Sequence, residues 1–126
     1  MSLYSEAVLD HFRNPRNSGE LAGATAEVET TNPVCGDTLR LFAIVEDGKM
    51  REVRFLCKGC TTAIACASWL TERLRGRTSK EAESITVAEI SSALGGLPPA
   101  TSHGAYLAGD ALKALLAKIT STSRGS

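Results

Sequence analysis

Two apolar runs joined by an Asp-Gly pair constrain this chain more than any other feature. "LRLFAIV" and "MREVRFLC" flank Glu46-Asp47-Gly48-Lys49. Asp-Gly accepts the positive φ angles of a tight two-residue turn, so the runs are expected to pair as an antiparallel hairpin. Val53, Phe55 and Cys57 then share one strand face, with polar positions around Arg51 interleaved. "AEVETT" reads as a third strand, reached through the turn "TNPVCGDT", where Asn32-Pro33 opens and Gly36 permits φ > 0.

After Cys60 the apolar period changes from two to that of a helix: Ala63, Ile64, Ala67, Leu70 and Leu74 recur up to Gly76. A short helix is expected over Ser79 to Ser84, capped by Thr78 or Ser79. Another starts at Thr86 and runs to about Leu94, before Gly95-Gly96. A helix from about Ser102 to Ile119 carries the stripe Ala105, Ala108, Leu112, Leu115 and Ile119. At the other end, Tyr4 to Phe12 reads as a helix with Val8, Leu9 and Phe12 as its apolar side, ended by Pro15 and Gly19. Strands in one run and helices in another argue α+β: a three-stranded antiparallel sheet packed on one face by about five helices. One domain over residues 1–120 and a frayed polar tail over 121–126 are expected.

The bulk numbers exclude several functions. The chain has 126 residues, a formal net charge of zero and 22% charged residues. No basic run offers a nucleic-acid footprint, and no apolar run reaches the ~20 residues of a membrane helix. "MSLYSEAVLDHF" lacks the basic and apolar regions of a signal peptide, so a cytoplasmic location is expected. In that compartment the four cysteines are expected to bind metal, react or lie buried rather than form disulfides.

Their settings differ. Cys35 lies in a polar turn two residues before Asp37, where a core thiol is out of place. Asp37 is either a ligand for the same ion or a turn-forming carboxylate, and the two roles are compatible. Cys60 lies where a strand hands over to a helix, and the helix N-terminus is expected to stabilise its thiolate. Cys57 could chelate with Cys60, or form a redox CxxC, but its strand face favours a core thiol. Cys66 reads as a small buried hydrophobe. His103 opens the last helix and becomes a ligand only if the Pro-Pro loop delivers it to Cys35 and Cys60. His11 is expected at the surface.

"NPVCGD" (32–37), "KGCTTAIACAS" (58–68) and "LPPATSHG" (97–104) resemble the three signature segments of the IscU/NifU-type iron–sulfur cluster assembly scaffolds. The resemblance spans nearly the whole chain and implies an α+β fold with a three-stranded antiparallel sheet. It implies a carrier, not an enzyme, that assembles a transient 2Fe–2S cluster from iron and desulfurase-derived sulfur and passes it to acceptor apo-proteins. It also implies zinc in the isolated protein. Cys35, Asp37 and Cys60 match family ligands, and His103 matches the histidine before the third family cysteine. That cysteine falls at Gly104 and is absent, which leaves Cys35, Asp37, Cys60 and His103 as the ligand set. "LPPAT" carries Thr101 where many relatives have the lysine of an Hsp70-type chaperone motif, so chaperone recognition is not expected. The longer insertion of the SufU branch is missing, which favours the IscU-like branch. The alternatives are a zinc-dependent sulfur acceptor using Cys35 or Cys60, or a degenerate paralogue with a residual metal site.

Overall fold

The computed structural model describes residues 4–33, 36–98 and 101–124. Its elements run α1 (Glu6–Arg13), β1 (Ala26–Thr31), β2 (Thr38–Glu46), β3 (Lys49–Lys58), α2 (Thr61–Leu74), α3 (Ser79–Ala82), α4 (Val87–Ala93) and α5 (His103–Arg124). The strands form one antiparallel meander in the order β1-β2-β3. At the β2–β3 turn Asp47 and Gly48 both take positive φ, 54° and 77°, as the Asp-Gly pair predicts. A bulge follows between Ile44 and Val45: Val45 pairs with Met50 and Ile44 with Glu52, which leaves Arg51 as the extra residue.

Alternation decides which face meets the helices. Leu39, Leu41 and Ala43 of β2 and Val53 and Phe55 of β3 are buried in the core, beneath α5 over β1 and β2 and α2 over β3. Ala105, Ala108, Leu112, Leu115 and Ile119 of α5 are all buried, as their spacing predicts. The Lys118 ammonium on the same helix donates to the Glu27 carbonyl at 3.0 Å, which ties α5 to β1. On the opposite face the Arg40 guanidinium covers the Phe42 ring, 5.0 Å from its centroid. Residues 17–19 run along the outer edge of β3: Gly19 N–H donates to Phe55 O, and Phe55 N–H to Asn17 O. That strip blocks an edge otherwise open to other strands.

The expected caps are in place. Thr78 and Glu81 close a capping box on α3, and Thr86 Oγ1 accepts from Glu89 N–H at the start of α4.

Three expectations are corrected. The buried side of α1 is Val8 and His11, whereas Phe12 is 40% exposed and Leu9 half-buried. His11 is therefore not a surface residue: it follows Val8 by one helical turn, and Ser68 on α2 satisfies its ring. The helical backbone of α5 continues beyond Ile119 to Arg124. Thr and Ser weaken a helix only modestly, and the first true breaker is Gly125, which with Ser126 lies outside the described residues.

Candidate metal centre

Three chain junctions meet at one end of the sheet. The first is the entry to β2, where Asp37 precedes Thr38. The second is the hand-over from β3 to α2, where Gly59 and Cys60 follow Lys58. The third is the start of α5 at His103. Pairing of Thr38 with Lys58 places the first two side by side. The first helical turns of α2 and α5, which pack together, bring in the third.

Asp37 does more than shape its turn. Its carbonyl accepts from Asn32 N–H at 2.8 Å, while its carboxylate Oδ2 accepts from Cys60 N–H at 3.3 Å. Gly59 is what lets the carboxylate lie there. A Cβ at this position would meet Asp37 Cγ at 2.8 Å and Oδ2 at 2.9 Å, closer than real Cβ atoms approach. The sequence alone assigns Gly59 no role; its signal is a glycine directly before a cysteine at a strand-to-helix junction.

Cys60 caps α2 in an extended conformation. Its Sγ lies 3.4 Å from His103 Nε2, which in turn lies 3.8 Å from Asp37 Oδ2. The three ligand atoms are all within 4.8 Å of one another. Four-coordinate zinc or iron with bonds of about 2.0–2.3 Å has ligand-to-ligand edges of about 3.3–3.8 Å. The two distances to His103 fall in that range, so the side chains need little movement to close on one ion. Thiolate, imidazole and carboxylate together suit zinc or ferrous iron. The side chains of Asp37 and His103 are 13% and 34% exposed, so the place they surround opens to solvent on the histidine side.

The proton affinity of Cys60 departs from the sequence expectation. The backbone N–H groups of Ala63 and Thr62 favour the thiolate, although no side-chain cap hydrogen bond forms. Burial raises its pKa by more, and the charge and hydrogen bond of Asp37 add to the rise. A free Cys60 therefore holds its proton, and an arriving cation is what would displace it.

Of the predicted ligands, the fold brings together Asp37, Cys60 and His103. Cys35 lies outside the described residues. Cys57 is not in the cluster; its thiol is pushed up to about 12, by burial first and then by Asp37 and Cys60. It is half-buried and faces a groove of about 410 Å³ with Leu56, Lys58, Thr38, Arg40 and Glu29. Cys66 is fully buried and its thiol is likewise pushed up to about 12, chiefly by burial. Cys66 is the core thiol its position predicts, whereas Cys57 packs against the core but is only partly buried. Among the described residues, no helix is long and apolar enough to cross a membrane.

Residues 3–124 match the family described as NifU-like N terminal domain. The chain is 42% identical over 111 residues to the iron-sulfur cluster assembly scaffold protein IscU 1 of Archaeoglobus fulgidus, a match covering 88% of this chain and 72% of the relative. It is 43% identical over 115 residues to the scaffold protein IscU of Azotobacter vinelandii, covering 88% and 89%. Among solved structures, the N-terminal part of a NifU-like protein from Brucella abortus superposes with a TM-score of 0.78 at 20% identity, covering 94% of this chain and 95% of the other. The last comparison supports the fold alone.

Proposed function

The chain belongs to the NifU-like N-terminal domain family, and on that premise we propose that it is an iron–sulfur cluster assembly scaffold. Iron and the cluster built on it are its cargo, held by Asp37, Cys60 and His103 together with Cys35. The protein is a carrier without turnover: it passes the cluster to acceptor apo-proteins in the cytoplasm, and a cysteine desulfurase supplies the sulfur. Zinc occupies the same donors when iron is absent. Thr101 in place of the lysine argues against recognition by an Hsp70-type chaperone. The observation that carries this reading is the convergence of a thiol, an imidazole and a carboxylate within 4.8 Å, from three separate junctions of the fold. The scaffold proteins of Archaeoglobus fulgidus and Azotobacter vinelandii, to which the chain is 42% and 43% identical, support the scaffold part of this reading.

Anaerobic reconstitution with ferrous iron and sulfide tests the proposal, read by visible absorbance, by iron and sulfide analysis, and by transfer to an apo-ferredoxin. Wild type should gain a labile cluster that the acceptor removes; Cys60→Ala should gain none. A wild type that takes up neither iron nor sulfide, or a Cys60→Ala variant that matches it, refutes the proposal.

A second reading has one observation in its favour, the imidazole 3.4 Å from the Cys60 thiol. With His103 as base, the Cys60 sulfur could attack the outer sulfur of a desulfurase persulfide. Cys60 would then carry the persulfide, and the desulfurase thiolate would leave. Radiolabelled sulfur on Cys60 after incubation with a desulfurase and cysteine, without iron, would favour this role; an unlabelled protein eliminates it.

A further inference from the structure

The stretch "RLRGRTSK" (73–80) carries Arg73, Arg75, Arg77 and Lys80 and no acidic residue, in a chain whose formal net charge is zero. A helix C-terminus favours a cation in its last turn, and Arg73 serves α2 in that way. Arg75 and Arg77 need another reason. They leave the helix on a braced loop. Gly76 takes a φ of 81° and turns the chain between them. Its N–H donates to Met50 O at 2.8 Å, Met50 N–H donates to Arg77 O at 2.8 Å, and Arg77 N–H donates to Leu74 O at 3.0 Å. Both arginines thus project from backbone held against the start of β3, which lowers the entropic cost of binding through them.

Together with Trp69, Glu72 and Arg73 they line a surface hollow of about 220 Å³. Trp69 is half-buried and packs against the core. Arg73 Nε lies 3.4 Å from Glu89 Oε2, and Arg75 Nε lies 3.2 Å from Glu52 Oε1. Arg75 Nη1 donates to Asn17 Oδ1 at 3.4 Å. Exposed pairs of this kind are weak and exchange readily. Among the described residues the Arg77 guanidinium has no hydrogen-bond or ion-pair partner. The hollow sits toward the C-terminal end of α2, about 20 Å along the helix from Cys60 at its other end.

We propose that this hollow is a docking site for an acidic segment of a partner protein: carboxylates of the segment pair with Arg75 and Arg77, and an apolar residue between them covers the Trp69 indole. A guanidinium takes a carboxylate on two parallel N–H groups, which gives direction as well as attraction. Nucleic acid fits less well. Glu72 lines the hollow and Glu52 and Glu89 stand at two of its arginines, so a continuous phosphate chain would meet carboxylates where it needs cations. A partner held here leaves the metal centre open, so cargo can enter and leave while the partner stays bound.

Trp69 is the only tryptophan of the chain, so its emission reports from the hollow itself. The probe is a capped peptide with glutamates on both sides of a leucine, titrated at low salt. It should move the emission to shorter wavelength in a saturable way, and added salt should weaken the binding. Arg77→Glu should weaken it about tenfold, since one exposed attraction is lost and a repulsion replaces it. Arg77→Gln, which removes the charge alone, should fall between that variant and wild type. Lys113→Glu makes the same charge change at an exposed position on α5 and should bind as wild type does. An emission that does not move overturns the proposal. Equal binding of a peptide with glutamine in place of glutamate overturns it, as does an equal loss in Lys113→Glu. Tighter binding of single-stranded DNA or of inorganic phosphate, read by the same emission, overturns it in favour of a phosphate ligand. The measurement uses no metal, so its failure leaves the scaffold reading untouched.

Discussion

The molecule holds its two histidines in opposite ways. At the α1–α2 contact, His11 is 7% exposed and sits in a closed polar knot. Ser68 Oγ accepts from Arg16 N–H at 2.8 Å, so its own proton points to His11 Nδ1, also at 2.8 Å. The remaining ring N–H then faces Glu72, with Nε2 3.8 Å from Oε1. Thr71 Oγ1 donates to Ser68 O, and Asn17 donates to Thr71. At the end of the sheet, His103 is a third exposed and stands beside a thiol and a carboxylate that also hold donor atoms ready. One cluster spends its hydrogen bonds on itself and staples residues 14–19 to α2. The other gathers a thiol, an imidazole and a carboxylate within 4.8 Å of one another and open to solvent on the histidine side. Residue type does not separate the two; satisfaction of the neighbours does.

The contrast breaks first on metal affinity. His103→Ala should weaken zinc or cobalt binding by about ten- to a hundredfold, since it removes one ligand of a small set. His11→Ala should leave that affinity unchanged and lower the thermal midpoint instead. Isothermal titration and thermal denaturation on both variants measure the pair. A His11→Ala variant that loses metal as His103→Ala does would mean the knot feeds the site, and the division drawn here would fail.

Stability gives the converse effect. Ser68→Ala leaves His11 Nδ1 and Arg16 N–H without partners in a buried place, at a cost of about 2 kcal/mol. Urea denaturation should show this as a lower midpoint with an unchanged slope, alongside unaltered metal binding. A loss under about 0.5 kcal/mol would place the knot among surface-like interactions.

How far sequence reaches also differs between the two clusters. The hairpin, the bounds of β1 and the caps at Thr78 and Thr86 are legible because each depends on residues a few positions apart. Asp37, Cys60 and His103 are legible as a set because each marks a junction and matches a family motif. The burial of His11 is not, since its partner Ser68 comes from another helix far along the chain. For the same reason the role of Gly59 stays hidden: what excludes a side chain there is Asp37, which comes from another junction of the chain. The proton affinity of Cys60 departs from expectation because a helix end is visible in sequence, whereas burial and the facing carboxylate are not.

The smallest expected effect is a dependence on pH that belongs to the knot. Burial is the main reason the His11 pKa lies below its ordinary value; Arg16 adds to it, and Glu72 and Asp10 pull the other way. The unfolded chain therefore binds a proton at this residue more readily than the folded one. Stability rises with pH wherever the unfolded state holds more protons. The His11 contribution is thus fully present above about pH 6.5, the value for an unperturbed histidine, and is lost as pH falls from there toward the lower folded pKa. Protonation also turns Nδ1 into a donor, so Ser68 Oγ would receive two hydrogens and its own would lose its acceptor. Urea midpoints at pH 7.5, 6.5 and 5.5 for wild type and His11→Asn separate this from the contributions of all other groups, which both proteins share. Asparagine keeps an acceptor within reach of Ser68 but does not titrate, so the variant should lose part of the decline below pH 6.5. Parallel curves for the two proteins would show that His11 is not the residue responsible.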